Sequence, residues 1–251
     1  MEENHSYSSV IGSASMPYLN SLANKYGLAT QYYANTHPSI GNYFMLSAGQ
    51  IITNNDSFCG TLTQDNVVRH LLTAGKTWKA YAESLPYAGY TGCASGYYVK
   101  RHNPLAYFSD VANSSQKYNL VPFSKFASDL INRNLPNYSF IVPNLIHDAH
   151  DGSLGAADSW LKTNIAPLIA SATFQKDGIL IIAFDESFDT DKQHGGGHVA
   201  TIVIGPRVTP HYKSTNFYQH QNTLRTLMRA VGCTSFPGLA GSVSGMTDFF
   251  Y

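Results

Sequence analysis

The stretch Gly178-Ile179-Leu180-Ile181-Ile182-Ala183-Phe184 carries no polar side chain and ends abruptly in Asp185-Glu186-Ser187. A strand with one wet face alternates apolar and polar residues. An unbroken apolar run this short, bounded by Gly and a charged pair, reads instead as a strand covered on both faces, as in the middle of a parallel sheet. Residues 199–204 repeat the pattern, and residues 138–143 are a further strand. Helical spacing fills the segments around them. Residues 16–26 place apolar side chains at 16, 19, 22 and 23, with Pro17 suited to a first turn and Gly27 to a stop. Residues 66–74 (capped by Thr63 or Asp65), 123–130, 156–170 and 220–230 read as helices too, and 77–83 as a strand edge feeding a helix. This alternation predicts an α/β fold: a three-layer sandwich with a mostly parallel central sheet and helices on both faces. In such sheets ligands bind beyond the C-terminal ends of the strands, and His147, Asp148, Asp185 and Glu186 all follow strand ends.

With 251 residues, 43% of them hydrophobic, the chain can bury one large core and reads as a single domain over 1–251. Lys+Arg (16) equals Asp+Glu (16), so there is no basic footprint for nucleic acid, and any phosphate recognition must be local. No apolar run reaches the roughly 18 residues of a membrane span. Among the three cysteines, Cys59 and Cys93 lie in loop-like sequence where a disulfide is easily accommodated, which leaves Cys233 free and buried. That pair, and the richness in Tyr, Asn, Ser and Thr, suit a secreted or periplasmic protein, although no signal segment is present.

In His37-Pro38-Ser39-Ile40-Gly41-Asn42-Tyr43-Phe44-Met45-Leu46, a Pro and a Gly flank Ser39 and an apolar run follows. The pattern puts one hydroxyl at a helix start, where backbone N–H groups attract anions and a nucleophile finds its developing charge already stabilised. Glu3, Asn4, Asp185 and Glu186, with Ser39, form an all-oxygen donor set. Such a set suits Ca²⁺ or Mg²⁺ rather than zinc. His102, His147, His150 and His198 are candidates for phosphate contacts and for protonating a leaving group. Gly195-Gly196-Gly197 ahead of His198 would permit backbone to approach a ligand closely. His37, His194 and His211 read as merely exposed.

The ordered set MEENHSY, HPSIGNYFMLSAG, KRHNPLAYF, FIVPNLIHDAHDG, ADSWLK, ILIIAFDES and GGGHVATIVIGP resembles the phosphoesterase family of bacterial acid phosphatases and phosphatidylcholine-type phospholipases C, within the alkaline phosphatase superfamily. The resemblance covers nearly the whole chain. It implies one phosphoesterase domain, Ser39 as the nucleophile that becomes phosphorylated, and His198 and His147 as catalytic partners. It further implies Asn42, His102, His150 and Asp148 around the phosphate, and one divalent ion held by Glu3, Asn4, Ser39, Asp185 and Glu186. Ca²⁺ is favoured over Mg²⁺, Mn²⁺ or Zn²⁺. The family's first strand, normally ahead of the Glu-Asn pair, has no counterpart here, so the expectation is an omitted strand, a weakly held metal and a mobile N-terminus.

The activity this reading implies is metal-dependent hydrolysis of phosphate monoesters through a phosphoseryl intermediate, acting on small soluble esters. Phospholipase C or phosphodiesterase activity is the alternative inside the family. A non-catalytic Ca²⁺- or carbohydrate-binding surface protein is the alternative outside it. No G-x-S-x-G surrounds Ser39, which argues against a serine esterase. Oligomeric state is not legible.

Overall fold

A computed structural model describes residues 1–251. Along the chain run α1 (Tyr7–Val10), α2 (Pro17–Lys25), β1 (Gly27–Ala29), α3 (Ser39–Ala48), α4 (Val67–Thr73), β2 (Trp78–Ala82), β3 (Ala94–Ser95), β4 (Tyr98–Val99), α5 (Ser109–Ala112), β5 (Leu120–Pro122), α6 (Ser124–Ile131), β6 (Tyr138–Val142), α7 (Leu154–Ala170), α8 (Ala172–Asp177), β7 (Leu180–Ala183), β8 (Thr201–Ile204), β9 (Lys213–Ser214) and α9 (His220–Ala230). No helix is long and apolar enough to cross a membrane. Packing divides the chain into two compact units. The first comprises Met1–His37, Ile146–Gln219 and Met246–Tyr251, the second Pro38–Leu145 and His220–Gly245.

The first unit is built on a four-stranded sheet in the order β7-β8-β1-β9. β7 pairs antiparallel with β8, and β8 antiparallel with β1; only β1 and β9 run parallel. The apolar character of residues 178–184 and 199–204 suggested parallel neighbours. What it records is cover on both faces, which burial imposes whatever the direction of the adjacent strand. Just past β7, Phe184 forms a parallel bridge with Glu2, so the N-terminal residues themselves lie alongside this strand end. α2 packs on α7, and Asp158 of α7 accepts the amides of Tyr18 (3.0 Å) and Leu19 (2.8 Å) in the first turn of α2. Pro17 stands at the start of that helix, where its missing N–H costs nothing.

The second unit holds an all-parallel sheet in the order β5-β2-β6, so β2 is its central strand rather than an edge. The cap of α4 is Asn66, whose side-chain oxygen accepts from Val68 N (3.0 Å) and Arg69 N (3.4 Å). Neither Thr63 nor Asp65 does this; Asp65 pairs instead with His70 at 2.8 Å. All ten residues of α3 are buried, and Gly49, left-handed at φ 66°, ends the helix. Cys59 and Cys93 form a disulfide, and Cys233 is a free, buried thiol.

Candidate active site

In the first unit the acidic residues are assembled by backbone pairing at the C-terminal end of β7. Glu2 N donates to Ala183 O (3.0 Å), Asp185 N to Glu2 O (2.9 Å), and Glu3 N to Asp148 O (2.7 Å). Oδ1 of Asp185 accepts the amides of Asn4 (3.2 Å) and Glu186 (2.6 Å). Asn4 takes a left-handed conformation at φ 56°, which Asn tolerates better than most residues. These bonds bring the segments that carry Glu3, Asn4, Asp148, Asp185 and Glu186 together. In the turn after β6, Asp148 Oδ1 accepts the amide of His150 at 2.9 Å, and the His150 ring pairs with Asp151 at 2.7 Å. Between them Ala149 is held at φ 73°, a strained conformation for a residue with a Cβ. His147 stands half-buried at the start of this turn.

His37 departs from its sequence reading. Its side chain is only 14% exposed, and Nδ1 lies 3.0 Å from Glu186 Oε2 and 3.7 Å from Asp189 Oδ1. Nε2 is 2.9 Å from the carbonyl of Asp191, which can only accept, so Nε2 carries the proton and Nδ1 faces the carboxylates. His194 and His211 are exposed, as read. Asp191 was not singled out from sequence, yet it organises the loop ahead of β8. Its carboxylate accepts from His198 N (3.0 Å) and Gln193 N (3.1 Å). The glycines before His198 let this loop pack closely: a Cβ at Gly195 or Gly196 would collide with the backbone of Asn35 and Thr36. The His198 ring is stacked between Tyr7 (centroids 4.3 Å) and Tyr33 (4.8 Å), with Nε2 donating to Thr30 O at 3.0 Å. Burial lowers its pKa, opposed by that hydrogen bond and by the Asp191 charge.

In the second unit Ser39 is the first residue of α3 and Asn42 follows within one turn; both are buried. Pro38, the N-cap, contributes no side-chain cap. The Ile40 amide donates instead to Asp56 Oδ1 at 3.0 Å, so one of the helix-start donors already holds a carboxylate. His102 ends a 3-10 turn, Lys100–His102, that stops before Pro104 because the residue preceding a proline is driven to extended backbone. Its ring lies nearly parallel to Tyr43 of α3, 5.1 Å between centroids and 8° apart, so His102 is seated on the helix that Ser39 begins. Asp56 was not picked out from sequence. A lone Asp in an Asn/Ser-rich loop carries no periodic signal.

The fit of a divalent cation is decided by charge burial. Glu3 (0% exposed), Asp148 (1%), Asp185 (0%) and Glu186 (3%) belong to one unit. Buried carboxylates are costly unless a cation compensates them. Burial accordingly pushes the Asp148 carboxyl up to about 7, opposed by the His150 amide, and raises Glu2 well above the usual carboxylate range. Oxygen-rich, buried and acidic, this set fits a hard divalent ion. His37 Nδ1, with Glu186 and Asp189 oxygens, forms a group whose ligand atoms lie within 4.8 Å of one another, adding a nitrogen to the expected all-oxygen set.

The sequence profile of the Phosphoesterase family matches residues 1–233. The chain is 34% identical over 255 aligned positions to a phosphatidylinositol-3-phosphatase of Mycobacterium tuberculosis, covering 100% of this chain and 81% of that protein. It is 31% identical over 228 positions to a phosphate-repressible acid phosphatase of Penicillium chrysogenum, covering 86% and 55%. The chain thus spans about half the length of its fungal relatives. Among solved structures it is similar to a protein of the alkaline phosphatase superfamily from Vibrio parahaemolyticus, with TM-score 0.59 and 15% identity over 90% of this chain and 63% of that one. It is also similar to the lipoteichoic acid synthase LtaP of Listeria monocytogenes, with TM-score 0.67 and 10% identity over 96% and 73%. At such identities these structures speak to fold alone, and the fold is the α/β sandwich of that superfamily.

Proposed function

This chain belongs to the Phosphoesterase family and is a phosphoric ester hydrolase, and we propose that it hydrolyses phosphate monoesters through a phosphoseryl intermediate on Ser39. The observation that carries the reading is the position of Ser39 as the first residue of a buried helix, with Asn42 within one turn and His102 stacked on Tyr43 of the same helix. The names of the relatives, which are those of phosphatases, support a monoester over a diester. The matched span runs through both units, which supports treating 1–251 as one phosphoesterase domain.

In the proposed reaction an imidazole takes the Ser39 hydroxyl proton as Oγ attacks phosphorus in line and the bond to the ester oxygen breaks, and it passes that proton to the departing alkoxide. Water then attacks the phosphoserine, and Ser39 leaves with its proton restored. We give the proton-transfer role to His147 ahead of His198, because the His198 Nε2–H is committed to Thr30 O. Asn42, His102, His150 and Asp148 take the phosphoryl oxygens. Glu3, Asn4, Asp185 and Glu186, with Ser39, are the proposed holders of one divalent ion, Ca²⁺ in the first instance; when bound it would neutralise phosphoryl charge and acidify the Ser39 hydroxyl. The Cys59–Cys93 disulfide supports an exported protein.

Turnover of p-nitrophenyl phosphate with and without EDTA, followed by acid quenching and mass mapping of residue 39, tests the proposal. Chelator-sensitive turnover with phosphate on Ser39 is expected. Turnover that leaves residue 39 unmodified and survives its replacement would overturn it.

A further inference from the structure

The second unit carries three side chains in hydrogen-bond sequence, none of them used by the proposed phosphatase reaction. Nε2 of His70 lies 2.8 Å from Asp65 Oδ2, and Nδ1 lies 2.7 Å from Ser235 Oγ. A carboxylate can only accept, so Nε2 carries the proton of the neutral ring and Nδ1 offers its lone pair to the Ser235 hydroxyl. That is the arrangement in which an imidazole acts as general base on a serine while an acid fixes its tautomer. The ring is turned so that Nδ1 rather than Nε2 meets the hydroxyl, which leaves the proton logic unchanged. No G-x-S-x-G surrounds Ser235, but such a trio is recognised by geometry and not by sequence position.

A role as a clasp alone is weakened by how firmly both segments are already held. Asn66 caps α4, on which His70 sits, and Asp65 accepts the Asn66 amide through Oδ1 at 3.0 Å. The loop after α9 is fixed on either side of Ser235: Cys233 N donates to Met228 O (2.9 Å), Leu239 N to Gly49 O (2.8 Å), and Arg225 Nη1 to Ala240 O (2.8 Å). Ser235 is exposed, whereas the His70 side chain is only 15% exposed, so the base is shielded and the nucleophile is open to a ligand. Lys76 brings a cation to the same loop: its Nζ lies 3.7 Å from the point a Cβ on Gly232 would occupy, three residues before Ser235. A positive charge on this loop favours an oxyanion developing at a carbonyl that Ser235 attacks. Phe236 follows directly, half-buried, and Leu239 is 49% exposed, which gives apolar surface for a short acyl chain.

We propose that Asp65, His70 and Ser235 form a second catalytic group, a serine esterase site for small carboxylic esters, independent of Ser39. Ser235 Oγ bonds to the acyl carbon as its proton passes to His70 Nδ1; the bond to the ester oxygen breaks, and that oxygen leaves with the proton as an alcohol or phenol. Water then attacks the acyl-serine and gives a proton to Nδ1, and the carboxylic acid departs as Ser235 recovers its hydroxyl proton. The test follows hydrolysis of p-nitrophenyl butyrate in EDTA, beside labelling of wild type with a fluorophosphonate and mass mapping of the modified peptide. A label on Ser235 is expected. Ser235→Ala and His70→Ala should each lower ester turnover by about 100-fold or more, and Asp65→Asn by a smaller factor, while p-nitrophenyl phosphate turnover without chelator stays unchanged.

Wild type that takes no label at Ser235, or ester turnover unchanged in folded Ser235→Ala, would overturn the proposal. So would ester turnover abolished by Ser39→Ala, which would assign it to the phosphatase serine. A clasp and nothing more would show as a lower Tm in His70→Ala with wild type hydrolysing no ester above background. Should Ser235→Ala lose its thermal transition, labelled wild type decides: ester turnover that survives stoichiometric modification of Ser235 denies it the role of nucleophile.

Discussion

The amide of Asn4 donates to Oδ1 of Asp185 at 3.2 Å, across 181 positions of sequence. The same oxygen accepts the Glu186 amide at 2.6 Å, so one carboxylate orders the two segments that supply the proposed ligands Glu3, Asn4, Asp185 and Glu186. The N-terminus, expected to be mobile, is placed here by backbone bonds to Ala183, Asp148 and Asp185 as well.

Asp185→Asn and Asp185→Ala should therefore separate. Asn can keep the oxygen that accepts both amides while losing the charge, so metal response should fall with little change in Tm. Ala removes both functions and should also cost roughly 1–3 kcal/mol for the amides left unpaired. Metal titration of activity beside thermal melts checks this. In the same assay His37→Gln tests whether nitrogen joins the ligand set: it should spare activation by Ca²⁺ and diminish activation by Mn²⁺ or Zn²⁺.

Ser39→Ala should reduce phosphatase turnover by about three orders of magnitude or more while leaving the protein folded, because Ser39 is the first residue of α3 and Ala is a good helix former. Thr36, the nearest upstream hydroxyl, donates to His37 O at 3.1 Å. Activity that depends on Thr36 would show the nucleophile to be misplaced.

Asp148 sets a pH dependence of the chelated protein. Burial raises its folded pKa from 3.8 to about 7, so between those values the folded state keeps a proton that the unfolded chain releases. Stability should fall as pH rises through that window and level off above it. Asp148→Asn should flatten this slope, as melts in EDTA across the range would reveal; an unaltered slope would locate the effect elsewhere.

Asp248 behaves in the opposite sense. Its carboxylate accepts from Ser214 Oγ (2.5 Å), Asn216 Nδ2 (2.9 Å), and the hydroxyls of Tyr212 (3.1 Å) and Tyr218 (2.5 Å). Burial acts to raise its pKa, but these hydrogen bonds together hold it below the usual carboxylate value. The stability it contributes is present above the unfolded pKa and is lost as pH falls through the folded one. Asp248→Ala should lower Tm at neutral pH and remove that acid-side decline.

Replacing Cys59 and Cys93 together by Ser should lower stability by about 3–4 kcal/mol, the chain-entropy value for a loop of this size, the two residues being 34 apart. Reducing agent should reproduce the shift in wild type and leave the double variant unchanged.

Much of this protein is decided locally. Period-3.6 patterns place α2, α6, α7 and α9, and the apolar runs place β6, β7 and β8, because side-chain burial leaves its mark within a few residues. Ser39 at a helix start is legible from the Pro and Gly around it, and the carboxylates at the end of β7 from an apolar run that stops at two acids. Other features depend on groups that sequence keeps far apart. Strand direction is one, since a strand covered on both faces looks the same beside a parallel or an antiparallel neighbour. The burial of His37 against Glu186 is another, and so are the choice of Asn66 as cap, the aromatic stacking of His198 and the reach of Asp56 to Ile40. In each case the deciding energy is a hydrogen bond, ion pair or ring contact whose partner is chosen only when the chain has folded, and no pattern of spacing records it.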